Sequence, residues 1–252
     1  MALQKTFNGI RITVAKDYQE LSDIAARIIL DRIKAKPSLT LLVPTGTTYQ
    51  GVYKIISNHP DKAIFSQLKF FNMDEYCLPQ GKGLKMIAES DEVSYHFFMK
   101  KHLFGVISPA RSFFPGIENI KKKGAYDELM AKEGGIDICL NAMGEDGHVF
   151  GFNFPGTSFA SRTRMVEVNP ETSQVNKKLT GLETPNHAIT IGIQTGMHSR
   201  EALFLVSGKR KARKLKQAIY GQVTEEVPAS IMRKHGNCRW IVDLEAASEL
   251  DI

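Results

Sequence analysis

The chain is poor in cysteine. Cys77, Cys139 and Cys238 stand far apart, with no CxxC pair among its 252 residues. That spacing excludes a cysteine-based zinc site. An odd count with no export signal reads as reduced thiols. No apolar run approaches the roughly 18 residues that span a bilayer, so no membrane partner is expected. The opening MALQKTFNGIRITVAKDY lacks the apolar centre of a signal peptide, so the expected location is cytoplasmic. There is no internal repeat and no low-complexity linker, and residues 1–252 read as a single domain.

What the chain does have is a mild basic excess, 33 Lys and Arg against 27 Asp and Glu, for a net charge of +6. A basic balance suits an anionic partner, either nucleic acid or a phosphorylated metabolite. Acids are interleaved with bases along most of the chain, which argues against nucleic acid. The exceptions are KKK at 121–123 and KRKARKLK at 209–216. In the second, Ala212, Leu215 and Ile219 fall at helical spacing and predict an amphipathic helix with a basic face. Most charges in such runs are simply solvated.

The stretch YQELSDIAARIILDRIKAKP predicts a helix with Leu21, Ile24, Ile28 and Ile33 on its apolar face and Pro37 as its stop. LTLLV at 39–43 is too short for a helix and is bounded by prolines, so it reads as a buried strand. Strand-like runs recur at 68–73, 136–143, 188–193, 201–207 and 238–243, with helical stretches such as 93–104 and 125–133 between them. Apolar strands alternating with helices predict an α/β fold: a single doubly wound, mostly parallel sheet with helices on both faces. Ligands of such folds bind beyond the carboxyl ends of the strands.

Four loops fall at those ends. Pro44-Thr45-Gly46-Thr47-Thr48 joins a strand to a helix N-terminus, where backbone N–H groups, the helix dipole and hydroxyls favour an anion. It also reads as a plain Thr-capped turn, and it is neither a Walker A loop nor GxGxxG. Asp74 and Glu75 follow the run LKFFNM and could act as a general base with a positioning group, or form a solvated pair. Asp146-Gly147-His148 follows IDICLNAM; the glycine lets an acid and an imidazole converge for proton transfer, although a lone loop histidine is commonly structural. Gly208-Lys209-Arg210-Lys211 places cations at a helix start, against the helix dipole, as a bound anion would require. Each signal is weak alone. Together, two anion-friendly helix starts and two acid/base loops on one sheet edge suit chemistry on a sugar phosphate.

The segments VPTGTT, FFNMDEY, SYHFFM, GGIDICLNAMGEDGH, SRTR and AITIGI…EALFLVSGKRKA resemble, in order, the glucosamine-6-phosphate deaminase/isomerase family, from about residue 20 to 245. 6-Phosphogluconolactonases of the wider superfamily share the fold, the Thr-Gly loop and a DGH-like segment, but do not usually carry NMDEY. VPASIMRKHGN is similar to the galactosamine-6-phosphate branch. The resemblance implies a Rossmann-like sheet and an enzyme that opens the pyranose, moves a proton between C2 and C1, and releases ammonia. It makes Asp74 the enolising base, His148 the ring-opening histidine and Asp146 its orienting acid, with Glu75 beside them in a less certain role. It makes Thr45, Gly46, Thr47, Thr48 and Lys211 the phosphate site, with a further basic ligand near Lys178. The implied partner is a small sugar phosphate, with no metal and no organic cofactor. A homo-oligomer stays open, and the short C-terminus argues against the regulation of allosteric hexameric relatives.

One segment departs from the family. Where family members read FNEP, this chain reads VFGFNFP, one residue longer, with Phe154 in place of the glutamate that partners the histidine. Asp146 alone could serve, Glu145 could substitute, or ring opening could be slow or directed to another sugar. Phe154 is then expected to face the sugar pocket. Beside the deaminase reading stand a lactone hydrolase, a non-catalytic sugar-phosphate sensor and, more distantly, a nucleic-acid binder.

Overall fold

The computed structural model describes residues 2–122 and 124–251. Its twelve strands are β1 Leu3–Phe7, β2 Ile10–Ala15, β3 Thr40–Val43, β4 Lys69–Asn72, β5 Asp74–Gln80 and β6 Gly83–Met86, then β7 Arg111–Phe113, β8 Ile138–Ala142, β9 Arg164–Glu167, β10 His187–Thr190, β11 Glu201–Val206 and β12 Cys238–Asp243. Eight form one sheet in the order β1-β2-β12-β11-β8-β3-β4-β7. Only the β1–β2 hairpin is antiparallel; the other pairings are parallel. The doubly wound sheet read from the sequence is therefore present.

Its strands are short and apolar because they are covered on both faces. All four residues of β3 and all six of β11 are buried. Alternate residues feed different cores: Phe71, Phe204 and Trp240 pack on one face, Phe70, Leu205 and Ile241 on the other. The second core receives the helix Tyr18–Ala35, which Asp17 caps by accepting from the Glu20 N–H. That helix buries Leu21, Ala25, Ala26, Ile29 and Ile33, while Ile24 and Ile28 sit half-buried at the rim of the face. The run at 209–216 becomes a 3-10 turn, Lys209–Lys211, and a helix, Ala212–Tyr220, that buries Ala212, Leu215 and Ile219 as their spacing predicts. In the KKK run, Lys121 and Lys122 are exposed, and Lys123 lies outside the described residues. No helix among the described residues is long and apolar enough to cross a membrane.

The sequence reading did not anticipate a second sheet. Four antiparallel strands, in the order β6-β5-β10-β9, stand beside the first. The run 188–193, read with the parallel strands, belongs here instead: β10 ends at Thr190, and Ile193–Met197 is a short helix. Met73 alone separates β4 from β5. Its N–H donates to Val43 O at 3.1 Å, and its carbonyl accepts from the Ile191 N–H at 2.9 Å. One residue thus bonds into each sheet, and Asp74, read as a loop residue, is the first residue of a strand.

The winding direction reverses between β3 and β8. From β3 the chain moves outward through β4 to β7; from β8 it moves the other way through β11 and β12. The loops leaving β3 and β8 therefore flank the crevice where open α/β sheets bind ligands. The opposite end of the sheet is closed by ion pairs. Glu201, at the start of β11, accepts from Arg32 at 2.8 Å and Arg239 at 2.6 Å. Asp137, just before β8, accepts from Lys36, Arg200 and the Thr40 N–H.

Burial raises the Glu201 carboxyl, but hydrogen bonds and charge from Arg32 and Arg239 outweigh it and hold the pKa below the usual range. A depressed carboxyl stabilises the fold above its unfolded pKa of about 4.3, and that contribution is lost as pH falls through the folded value. Glu201→Ala is expected to lower unfolding free energy at pH 7 by about 2 kcal/mol, less than for a fully buried pair because both arginines are partly exposed. The deficit should shrink at pH 4 and below. Urea titrations at both pH values measure it, and equal stability of the two proteins at pH 7 would rule out this role.

Candidate active site

The four loops singled out from the sequence surround one cavity of about 910 Å³. At one end lie Thr45–Thr48 and Ser207–Lys211; at the other lie Asp74, Asp146 and His148. The wall between carries Tyr76, Tyr95, Phe152 and the helix Pro170–Thr180.

The first end is built for an anion. Gly46 has φ +127, a conformation that L side chains rarely adopt, and it turns the chain from β3 into the helix Thr47–Ser57. No side chain caps that helix, so its first N–H groups point to the cavity without a side-chain acceptor. Lys211 Nζ donates to Thr48 Oγ1 at 3.1 Å, joining the two anion loops. Burial pulls the Lys211 ammonium down to about 8, against the opposing carboxylates of Glu145 and Asp243. A phosphate would supply the negative charge that this enclosed ammonium needs.

At the other end Asp74 is 4% exposed. In the β5–β10 register it stands opposite Thr190, whose hydroxyl donates to Asp74 Oδ1. The same hydroxyl accepts from the Phe152 N–H at 3.1 Å. Burial pushes the Asp74 carboxyl up to about 7; the hydrogen bonds and the nearby His148 oppose the rise, and Glu75 adds to it. The loop covering it must carry glycine at 151, because a Cβ there would overlap Asp74 Oδ1. Both Phe150 and Gly151 have positive φ, and Asn153 pins the loop by donating to the carbonyls of Val149, Phe150 and Ile191.

His148 is oriented from its own loop. Its Nδ1 lies 2.7 Å from Asp146 Oδ1, which also accepts from the His148 N–H at 3.0 Å. A carboxylate there accepts a hydrogen bond from Nδ1–H, which keeps the proton on Nδ1 and leaves Nε2 as the basic nitrogen. Burial raises the Asp146 carboxyl, but the His148 contacts and a hydrogen bond from Asn169 override it and hold the carboxyl at about 2. The imidazole lies against Gly144, where any Cβ would collide with the ring. The sequence reading missed Gly144, Gly151, Thr190 and Tyr95. The motifs GEDGH, VFGFNFP, AITIGI and SYHFFM contained them, without a signal that separated these residues from their neighbours.

Three candidates lie elsewhere. Glu75 points to the other face of β5, as strand alternation requires. It is 1% exposed and accepts from Ser94 Oγ, the N–H groups of Tyr95 and His96, and His96 Nδ1 at 2.7 Å. It anchors the start of the helix Tyr95–Met99 and does not line the cavity. Lys178 is exposed on the helix Pro170–Thr180, whose Glu171, Thr172, Val175 and Asn176 line the cavity in its place. Phe154 does not line the cavity either. It is half-buried, with its ring T-shaped to His148 at 5.4 Å and stacked on Phe152 at 5.9 Å. Glu145, the proposed substitute acid, pairs with Arg210 at 3.0 Å. Among the described residues no group of three or more His, Cys, Asp or Glu could hold a metal ion.

Known proteins are similar to this chain in sequence and fold. Residues 15–240 match the family model described as glucosamine-6-phosphate isomerases/6-phosphogluconolactonase. The chain is 37% identical to glucosamine-6-phosphate deaminase 1 of Bacillus subtilis over 95% of its own length and 99% of that protein. It is 37% identical to a glucosamine-6-phosphate deaminase of Clostridium botulinum over 96% of its length and 97% of that protein. The solved structure of a monomeric glucosamine-6-phosphate deaminase superposes with a TM-score of 0.84 at 35% identity, covering 95% of this chain and 99% of that one. A 6-phosphogluconolactonase from Trypanosoma cruzi shares the fold, with a TM-score of 0.74 at 19% identity and 99% of both chains covered. Matched along nearly its whole length, the chain belongs to the family of glucosamine-6-phosphate isomerases and 6-phosphogluconolactonases.

Proposed function

We propose that the protein is an amino-hexose-6-phosphate deaminase that converts glucosamine 6-phosphate, or its galacto epimer, with water to the 6-phosphoketose and ammonia. The observation that carries this reading is one cavity holding a buried carboxyl with a pKa near 7, a carboxylate-oriented imidazole and a lysine-bearing anion site. The phosphate sits on the Thr45–Thr48 turn and Lys211 and fixes the sugar. His148 Nε2 takes the proton of the anomeric hydroxyl and passes it to the ring oxygen as the C1–O5 bond breaks, which opens the pyranose. Asp74 takes the C2 proton and returns it to C1, while a proton passes from the amine to the C1 oxygen, leaving an imine at C2. Water adds to that carbon and ammonia leaves. A carboxylate moving one proton between adjacent carbons contributes roughly 10²–10⁴-fold. The free cysteines Cys77, Cys139 and Cys238 and a phosphorylated substrate support a cytoplasmic setting for this reaction.

Ammonia release from glucosamine 6-phosphate and galactosamine 6-phosphate, side by side, tests the reaction and the epimer. Lactone hydrolysis without ammonia release would overturn it. Asp74→Asn is expected to lower kcat by at least about 10²-fold with KM nearly unchanged, because the lost proton transfer occurs only in the transition state. In the wild type, Asp74 is protonated below its pKa of about 7 and cannot act as a base. The acidic limb of kcat/KM should therefore fall near that pH and vanish with the residual activity of the variant. Near-normal turnover in Asp74→Asn removes Asp74 from the mechanism.

Lys211→Ala should remove a charge-assisted contact worth roughly 1.5–3 kcal/mol. That corresponds to about a 10- to 100-fold rise in KM if phosphate is held equally in ground and transition states. Steady-state kinetics on the phosphorylated and unphosphorylated sugar check it. Equal use of both sugars by the wild type would dismiss the phosphate site.

A further inference from the structure

Asn169 lies between the edge strand β9 and the helix Pro170–Thr180, and its amide faces two ways. Its Oδ1 accepts from the Thr172 N–H at 2.7 Å and caps the helix. Its Nδ2 donates to Asp146 Oδ2 at 3.3 Å. The orientation of the amide is dictated by its neighbours, because a backbone N–H needs an acceptor and a carboxylate needs a donor. Asp146 therefore spends Oδ1 on His148 and Oδ2 on Asn169. The capped helix covers the cavity with Glu171, Thr172, Val175 and Asn176, and Asn176 donates to Tyr76 Oη at 3.0 Å across it. Phe154 occupies the flank of His148 with a ring, and Glu145 is held by Arg210. The orientation of the imidazole thus runs through Asp146.

We propose that Asn169 is a positioning residue for ring opening. It ties the helix covering the substrate to Asp146, so that His148 is aligned when that helix is in place. The proposal rests on the reading of His148 as the ring-opening base. It assigns Asn169 a task that an ordinary N-cap does not have, and variants can separate the two. Asp and Ser cap helices as well as Asn does. Asp offers Asp146 no donor and adds a like charge, whereas Ser has too short a side chain to cap the helix and reach Asp146 together.

The experiment compares the wild type with Asn169→Asp, Asn169→Ser and His148→Gln, using ammonia release from the amino-hexose 6-phosphates across pH together with thermal unfolding. Both Asn169 variants are expected to keep a melting temperature close to that of the wild type and to lose about tenfold or more in kcat/KM. Asn169→Asp should also add a loss of activity at the acidic end of the profile, because a like charge beside Asp146 raises that carboxyl, and a protonated Asp146 no longer orients His148. The other charged groups lining the cavity are Asp74, Glu92, the Glu145–Arg210 pair, Glu171, Lys209, Lys211 and Glu245, and all are unchanged in these variants. Wild-type kcat/KM and pH profile in both Asn169 variants, with or without a lower melting temperature, overturn the proposal and leave Asn169 a cap. Should His148→Gln turn over normally, the ring-opening assignment itself fails and the proposal falls with it; an impaired His148→Gln beside normal Asn169 variants defeats the proposal alone.

Discussion

The side of the cavity that holds Asp74 is arranged around keeping one carboxyl out of water. Asp74 is buried at a junction where a single residue, Met73, passes the chain from the parallel sheet to the antiparallel one. Burying an ionisable carboxyl without a cation is unfavourable unless hydrogen bonds meet it. Here the hydrogen-bond compensation is small and neutral, from the Thr190 hydroxyl and the Phe152 N–H, with His148 nearby. An arginine in that place would favour the charged form strongly and leave a weak base. The neutral donor leaves a carboxyl that exchanges its proton near neutrality. The strand pairing that sets Thr190 opposite Asp74, and the glycine at 151, both follow from that requirement.

The parallel sheet was legible in the sequence because burial on both faces makes each strand a short apolar run, as in TLLV and EALFLV. The second sheet was not. Its strand β5 reads DEYCLPQ, with two carboxylates at the start and a proline near the end, and it carries no alternating pattern that outweighs them. The run AITIGI was legible as strand, but nothing in it tells a parallel partner from an antiparallel one. Missing β5 had one direct consequence. Two adjacent acids in a loop can converge, whereas two adjacent acids on a strand must diverge. Glu75 therefore went to the helix at Tyr95 and Asp74 to the cavity.

The loops themselves were readable, since glycine, threonine and histidine after apolar runs mark strand ends. What could not be read was which side of a loop each side chain takes. Phe154 replaces an expected acid, so its position in the chain was clear, yet it packs on the outer flank of His148 against Phe152. Lys178 shares the helix face of Glu171 and Val175 but lies beyond the cavity-lining part of the helix, an offset along its axis that a loosely aligned segment does not specify. In the sequence Asn169 before Pro170 carries at most the signal of a helix cap, and its second hydrogen bond spans 23 positions.

The ion pairs at the far end of the sheet have an evolutionary reading. Glu201 and Asp137 are matched with arginine and lysine where the strands begin, and the cavity lies where they end. A strand of six residues keeps these two ends about 17–20 Å apart. Substitutions that far apart with no shared partners are close to additive in their effects on stability. The loops at the carboxyl edge can therefore drift toward another sugar while the ends that hold the sheet together stay as they are. Selection can act on substrate and on scaffold as separate traits, which is how one framework comes to carry both deaminases and lactonases.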